Sequence, residues 1–316
     1  MTRPTVLMPV PMHDVVVDGC EERFELLRLW EADDPDALLE QRGADVRGLA
    51  VGGHSHIDAA LFDRLPKLEV VANFGVGYDS VDVGAATERG IVVTNTPGVL
   101  DDEVADTALG LLLMTVRELG RAERYLREGR WAAEGHYPLT DLTVTGRRVG
   151  ILGLGRIGEA IAQRAEAFRM TIAGYHNRTR KDSPYRYYPS LLELARDVDT
   201  LVVVVPGNAS TRHLVDAEVL RALGPDGVLV NIGRGTVVDE TALVEALRTR
   251  TIRAAGLDVF EDEPNVPQEL IDLDNTVLLP HVGSGSEPTR RAMAQLVVDN
   301  LESWFAEGRA HTPVNA

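Results

Sequence analysis

Nothing in this sequence constrains the fold as tightly as Val149-Gly150-Ile151-Leu152-Gly153-Leu154-Gly155-Arg156-Ile157-Gly158, a short apolar run that breaks into glycines at G-x-G-x-x-G spacing. Gly153 permits a tight turn, Gly155 lets a pyrophosphate approach the backbone, and Gly158 lets the next helix pack against the strand. Phosphate would then rest on a helix N-terminus, where unpaired N–H groups and the positive dipole end favour an anion. The flanks agree. Arg148 to Leu152 is apolar and β-branched, Glu159 to Phe168 carries helical spacing and strong helix formers, and Thr171 to Tyr175 supplies a second strand. Together they make one βαβ unit of a dinucleotide-binding fold.

The chain around this unit has room for a second domain. It holds 316 residues with an apolar fraction of 44%, enough for well-buried cores. A net charge of −17 argues against a nucleic-acid or acidic-membrane partner, so an anionic ligand must be held by local cations. Cys20 is the only cysteine, which excludes a disulfide framework and a cysteine-based metal site. The first residues lack the apolar core of a signal peptide and no run approaches membrane-spanning length, so the expected compartment is the cytoplasm.

Before the glycine unit, Thr5 to Val10, Leu49 to Val51, Leu68 to Phe74 and Ile91 to Thr94 read as strands. Pro35 to Gln41, Ile57 to Leu65 and Val81 to Arg89 read as helices between them, giving a small parallel α/β layer. Asn73-Phe74-Gly75-Val76-Gly77-Tyr78-Asp79 sets glycines just past a strand end, where free amides can hold a carboxylate or the chain can simply turn into a helix. His54 and His56 are read as exposed loop histidines without metal partners. A break at Thr94 to Gly98 precedes one long helical pattern from about Asp101 to Arg130, whose Asp101, Asp102 and Glu103 suit the dipole of its first turn. An irregular stretch, Trp131 to Thr145, leads back to the glycines.

After them, near-continuous apolar runs recur at Leu201 to Val205, Val228 to Ile232, Ala254 to Val259 and Thr276 to Leu279, as expected of parallel strands covered on both faces. Pro206 follows the first run, Gly233-Arg234-Gly235 the second, Asp258 and Glu261-Asp262-Glu263-Pro264 the third, and Pro280-His281 the fourth. Ligands of open α/β sheets bind outside the carboxyl ends of the strands, so Arg234, an acid and His281 should face the cofactor crevice. An arginine, a carboxylate and a histidine beside a nicotinamide point to hydride exchange with a carbonyl next to a carboxylate. His281 can protonate the carbonyl oxygen, a carboxylate on its other nitrogen fixes its tautomer, and Arg234 offers a planar fork to the substrate. No metal is required.

Asn231 to Asp239, Gly256 to Pro264 and Leu279 to Ser284 resemble the signatures of the D-isomer-specific 2-hydroxyacid dehydrogenases. Through Val76-Gly77, Thr94 to Pro97 and Val104 to Asp106 the chain is similar to the glyoxylate/hydroxypyruvate and hydroxyphenylpyruvate reductases of that family. The resemblance covers nearly the whole chain. It implies two Rossmann- or flavodoxin-like α/β domains with parallel sheets and an active-site cleft between them. The substrate domain would be discontinuous, residues 1–98 with 287–316, around a cofactor domain at 99–286 through which a homodimer forms. It implies Arg234, Glu263 and His281 as catalytic, Asp258 near the nicotinamide carboxamide, and the Val76 and Gly77 amides on the substrate carboxylate alongside Arg234 and His281. Gly153, Leu154, Gly155, Arg156, Ile157, Gly158, Pro206 and Ile232 would line the cofactor. No effector domain is expected beyond the C-terminal helix at Pro288 to Gly308.

An acid at the end of the second strand of a dinucleotide fold selects NAD; here that end reads Tyr175-His176-Asn177-Arg178-Thr179-Arg180-Lys181. The acid is missing and cations are present. Asn177, Arg178 and Thr179 therefore favour NADP, with NAD still possible. The expected reaction is NADPH-dependent reduction of glyoxylate or hydroxypyruvate to the (R)-hydroxy acid. The alternatives are an NAD-linked D-lactate or phosphoglycerate type of enzyme, or a nucleotide-sensing, corepressor-like module.

Overall fold

The computed structural model describes residues 3–52 and 55–315, so His54 lies outside the described residues. Those residues form two compact units, one from the chain up to Leu100 with the segment from Ser286 onward, the other from Asp101–Gly285.

In the first unit, β1 (Thr5–Met8), β2 (Glu25–Arg28), β3 (Val46–Gly52), β4 (Val70–Phe74) and β5 (Val92–Thr94) form one sheet in the order β2-β1-β3-β4-β5. Every pairing is parallel. Successive side chains of a strand point to opposite faces, and the cores divide accordingly. Leu7, Leu49, Val51 and Val71 pack on one face with Ile57, Phe62 and Leu65, whereas Val6, Met8, Ala50, Val70 and Ala72 pack on the other with Val16, Cys20, Ala294, Val297 and Leu301. The Glu287–Glu307 helix lies on that second face beside the Asp14–Arg23 helix and β4. Burial pushes the Cys20 thiol up to about 12, so this cysteine acts as a small core hydrophobe.

In the second unit, β6 (Arg148–Leu152), β7 (Thr171–His176), β8 (Thr200–Val203), β9 (Val228–Asn231), β10 (Ala254–Leu257) and β11 (Thr276–Leu278) run parallel in the order β11-β10-β9-β8-β6-β7. From β6 the chain moves first to one side, to β7, and then returns to build β8 on the other. The end of β6 is therefore the topological switch point, and the glycine turn sits on it. The Asp101–Arg117 helix covers one face; at Gly256 an added Cβ would lie 2.6 Å from Thr115 Oγ1, so glycine is what lets helix and strand meet. Asp102 and Asp106 on that helix pair with Arg164 on the Arg156–Ala167 helix, a role beyond the helix capping expected of Asp102.

Both sheets are parallel α/β layers, as the apolar runs implied. The long helix is not continuous. It breaks at Glu118, in a left-handed conformation at φ 51°, and resumes at Leu119–Arg127; Gly129, at φ 73°, then precedes a further turn at Arg130–Glu134. Tyr137 Oη donates to the Glu118 carboxylate at 2.8 Å, a tertiary contact that helical periodicity on either side does not reveal. Among the described residues no helix is long and apolar enough to cross a membrane.

Candidate active site

The turn between β6 and the Arg156–Ala167 helix is set by what its glycines leave out. A Cβ on Gly153, at φ 107°, would meet Val204 O at 2.7 Å, and one on Gly158 would meet Gly153 O at 2.3 Å. At Gly155 there is open space instead, with nothing within 4 Å. Gly155 caps the helix without a side-chain hydrogen bond, so the amides of its first turn face that space unpaired. Exposed Arg156 stands at the first helical position beside partly buried Ile157. The donor set fits a dinucleotide phosphate: backbone amides, a dipole end and open space at Gly155.

Asn177, one residue beyond β7, does something the sequence did not disclose. Its Oδ1 accepts the Leu154 N–H at 2.6 Å and its Nδ2 donates to Leu154 O at 3.3 Å, so the carboxamide clips the glycine turn to the end of the neighbouring strand. Leu154, expected to line the cofactor, has its amide committed to Asn177 and its side chain buried. Arg178 and Thr179 follow it, exposed. Lys181 of the same basic run pairs with Glu159 at 3.5 Å.

Behind β9, Asn231 closes the next turn: its Oδ1 accepts Gly233 N–H at 3.1 Å and its Nδ2 donates to Arg234 O at 2.9 Å. An asparagine two residues before a glycine is the usual side-chain mimic of such a turn, and was the available signal. Arg234, half-buried, donates from Nη1 to Gly233 O at 2.8 Å. A Cβ on Gly235 would fall 1.8 Å from the Phe260 carbonyl carbon, so this turn rests on the backbone that follows β10. Buried Glu240 secures the same stretch by accepting the Glu261 N–H at 2.8 Å. Burial, with the charges of Glu261, Asp262 and Glu263 adding to it, raises the Glu240 carboxyl above its ordinary value against the opposing Glu261 amide.

This arrangement holds the acid and the base together. Glu263 accepts the Phe260 N–H on Oε1 at 3.0 Å, and its Oε2 lies 2.7 Å from His281 Nδ1. Burial alone would push the Glu263 carboxyl up, but the hydrogen bonds from His281 and Phe260 and the charges of His281 and Arg234 outweigh it and hold the group below its ordinary value. An ionised carboxylate only accepts, so Nδ1 carries the proton and Nε2 is left for chemistry. Nε2 makes no hydrogen bond among the described residues, and the imidazole is 46% exposed. The backbone of His281 is left-handed, φ 53°, and is held there by its N–H donating to Asp258 O at 2.8 Å. Asp258 is buried, and its carboxylate oxygens accept the Val282 and Gly283 amides at 2.8 Å each. Desolvation nonetheless raises its carboxyl against those amides and the His281 charge. Asp258 thus braces the His281 loop through both oxygens, a contact that the resemblance did not suggest. Ile232 is buried beside Gly283, and Pro206 opens an exposed loop after β8.

In the first unit, Val76 and Gly77 lie in the loop after β4, partly buried, and donate no backbone hydrogen bond among the described residues. His56 is exposed, 3.7 Å from Asp58, and no group of three metal-binding side chains occurs among the described residues.

Comparison with known proteins places these features in context. The family model described as D-isomer specific 2-hydroxyacid dehydrogenase, NAD binding domain, matches residues 109–283. The chain is 48% identical over 309 residues to glyoxylate/hydroxypyruvate reductase A of Arabidopsis thaliana, covering 98% of each chain. It is 47% identical to hydroxyphenylpyruvate reductase of Plectranthus scutellarioides, again over 98% of each. Among solved structures, an NADPH-dependent glyoxylate/hydroxypyruvate reductase from Sinorhizobium meliloti, in complex with NADP and malonate, aligns with a TM-score of 0.94 at 55% identity, over 99% of this chain and 97% of that one.

Proposed function

This chain belongs to the D-isomer-specific 2-hydroxyacid dehydrogenases, and on that premise we propose that it is an NADPH-dependent reductase of small 2-oxo acids of the glyoxylate and hydroxypyruvate type. The observation that carries the reading is the 2.7 Å pair between Glu263 and His281, with Arg234 on the adjacent turn. When bound, the nicotinamide supplies the hydride. His281 delivers a proton from Nε2 to the carbonyl oxygen, and Glu263 keeps Nδ1 protonated and stabilises the imidazolium in waiting. Arg234 directs its fork at the carboxylate and the polarised carbonyl, and the Val76 and Gly77 amides hold the carboxylate. Gly155 and the first-turn amides at Arg156, Ile157 and Gly158 receive the pyrophosphate.

The preference for NADPH rests on Arg178. No hydrogen bond or ion pair engages it among the described residues, and Asn177 fixes the strand end just before it. A 2′-phosphate is the anion such a site would take. Initial rates with NADPH and NADH against glyoxylate, hydroxypyruvate, 4-hydroxyphenylpyruvate, pyruvate and 2-oxobutyrate test this directly. NADPH with glyoxylate or hydroxypyruvate should give the highest kcat/KM. A charge-assisted hydrogen bond contributes about 1.5–3 kcal/mol, so Arg178→Ala should raise KM for NADPH about 10- to 100-fold and leave KM for NADH nearly unchanged. Equal losses with both nucleotides would remove Arg178 from cofactor choice. Tight nucleotide binding without turnover on any substrate would favour a sensing module over an enzyme.

A homodimer is part of the same reading. Leu119, Leu126, Trp131 and Leu139 are exposed within residues 119–139, Leu139 to 96% of its surface, and a subunit interface would remove such apolar side chains from water. Sedimentation equilibrium should give twice the chain mass of 34.4 kDa, and a monomer across the micromolar range would refute it.

A further inference from the structure

The loop after β4 has its carbonyls engaged and its amides open. Asn73 donates from Nδ2 to Gly75 O at 3.2 Å and to Gly77 O at 2.9 Å, Asn95 donates from Nδ2 to Val76 O at 2.8 Å, and Thr96 N–H also reaches Gly75 O at 3.0 Å. Both asparagines are interior, Asn73 3% and Asn95 9% exposed. The peptide group is planar and trans, so a carbonyl and the N–H of the following residue point in opposite directions. Tying down Gly75 O therefore aims the Val76 N–H, and tying down Val76 O aims the Gly77 N–H. Both point away from the asparagines. Gly75, at φ 154°, allows the loop to close on itself, with Gly77 O 3.2 Å from where a Cβ would stand.

Asn95 is in turn anchored by the end of the chain. Its N–H donates to Thr312 O at 3.3 Å, and its carbonyl accepts the Thr312 hydroxyl at 2.6 Å. Asn300, buried in the long C-terminal helix, donates from Nδ2 to that hydroxyl at 2.9 Å and accepts Thr312 N–H on Oδ1 at 3.0 Å. A continuous run of hydrogen bonds thus leads from Asn300 through Thr312 and Asn95 to the Val76 carbonyl.

We propose that Asn73 and Asn95, with Thr312 behind Asn95, are positioning residues that present the Val76 and Gly77 amides as a preformed carboxylate receptor. This rests on the reading that those two amides hold the substrate carboxylate, and it assigns the groups that make them able to. The residue type matters. An aspartate at either position would offer only acceptors to the carbonyls and place a negative charge behind the anion site.

Kinetics with glyoxylate at saturating NADPH, together with calorimetric binding of oxalate to the NADPH-loaded protein, test the proposal. Asn95→Ala and Thr312→Val should each raise KM and the oxalate Kd by about tenfold, the equivalent of about one lost hydrogen bond. Turnover at saturation and the Kd for NADPH should stay within about threefold of the parent, because a loosened receptor costs ground-state and transition-state binding alike. Thr312→Ser keeps the hydroxyl and should restore parental values. Unchanged KM and oxalate affinity in Thr312→Val, or in an Asn95→Ala protein shown folded by near-ultraviolet circular dichroism, overturns the proposal. Val76→Pro removes one amide hydrogen and separates the two levels of the argument. If it weakens glyoxylate and oxalate while the other variants do not, the positioning role alone falls. If it too changes nothing, the carboxylate is held elsewhere and the underlying reading falls with it.

Discussion

His281→Ala is expected to lower turnover with glyoxylate by about 10²–10⁴-fold, the usual worth of a positioned general acid, while NADPH binds as tightly as to the parent. Because alanine at φ 53° adds backbone strain of its own, His281→Asn is the cleaner partner experiment: asparagine tolerates the left-handed region and cannot carry the proton. Both variants should lose turnover to a similar extent. If only His281→Ala were impaired, the loss would come from the loop and the proton-donor role would fail.

The pH behaviour follows from the same pair. Reduction consumes a proton from the imidazolium, whereas oxidation of the hydroxy acid needs the neutral ring. The two directions should therefore respond oppositely to a rise in pH, and neither response should survive in His281→Asn. Glu263 enters on the acid side. Its folded carboxyl lies below the ordinary glutamate value of about 4.3, so its contribution to stability is present above that value and is lost as pH falls through the depressed one. Rates in the oxidative direction with Glu263→Gln should fall even at neutral pH, because an amide oxygen stabilises the imidazolium far less than a carboxylate does. Parental rates there would leave Glu263 as packing only.

Strands such as β6, β8, β9 and β10 were legible because parallel strands buried on both faces are written as unbroken apolar runs, and the ends of β9, β10 and β11 carry Arg234, Glu263 and His281 in turn. The edge strand β2 was not, since Glu-Leu-Leu-Arg has one exposed and three half-buried positions and no periodicity to separate it from a helix end. The break at Glu118 was hidden for a related reason: the helical pattern continues on both sides of a single reversed φ. What the sequence concealed most thoroughly was the work of the polar side chains in between. Asn177 reaches back 23 positions to Leu154, Asp258 reaches forward 24 to Val282, and Asn95 is tied to a threonine 217 positions away. No local pattern encodes such partners. Side-chain amides and carboxylates that close backbone turns depend on which strand ends the fold makes neighbours. That is why the sequence offered Asn177 and Asp258 only a cofactor as partner, while their bonds here go to the glycine turn and to the His281 loop.

Arg234→Gln is expected to reduce kcat/KM for glyoxylate by about 10²–10³-fold, as loss of a preorganised donor to a developing oxyanion generally does. The fall should be divided between kcat and KM, because a fork that reaches both the carboxylate and the carbonyl oxygen acts in the ground state as well as in the transition state. Arg234→Lys is the informative control. It keeps the charge but replaces a planar fork with a single ammonium, so charge alone should recover only part of the loss. The turn itself should tolerate either change, since Asn231 closes it through backbone atoms of Gly233 and Arg234, and Gly235 rather than Arg234 makes the contact with Phe260. Removing the Arg234 charge also takes away one of the influences that hold Glu263 low. The Glu263 carboxyl should then rise, and the acid-side loss of activity should move to higher pH in Arg234→Gln but not in Arg234→Lys. A variant with parental kcat/KM and an unmoved acid limb would mean that Arg234 only packs the turn. A lowered kcat/KM with an unmoved limb would keep its contact with substrate and discard its hold on Glu263.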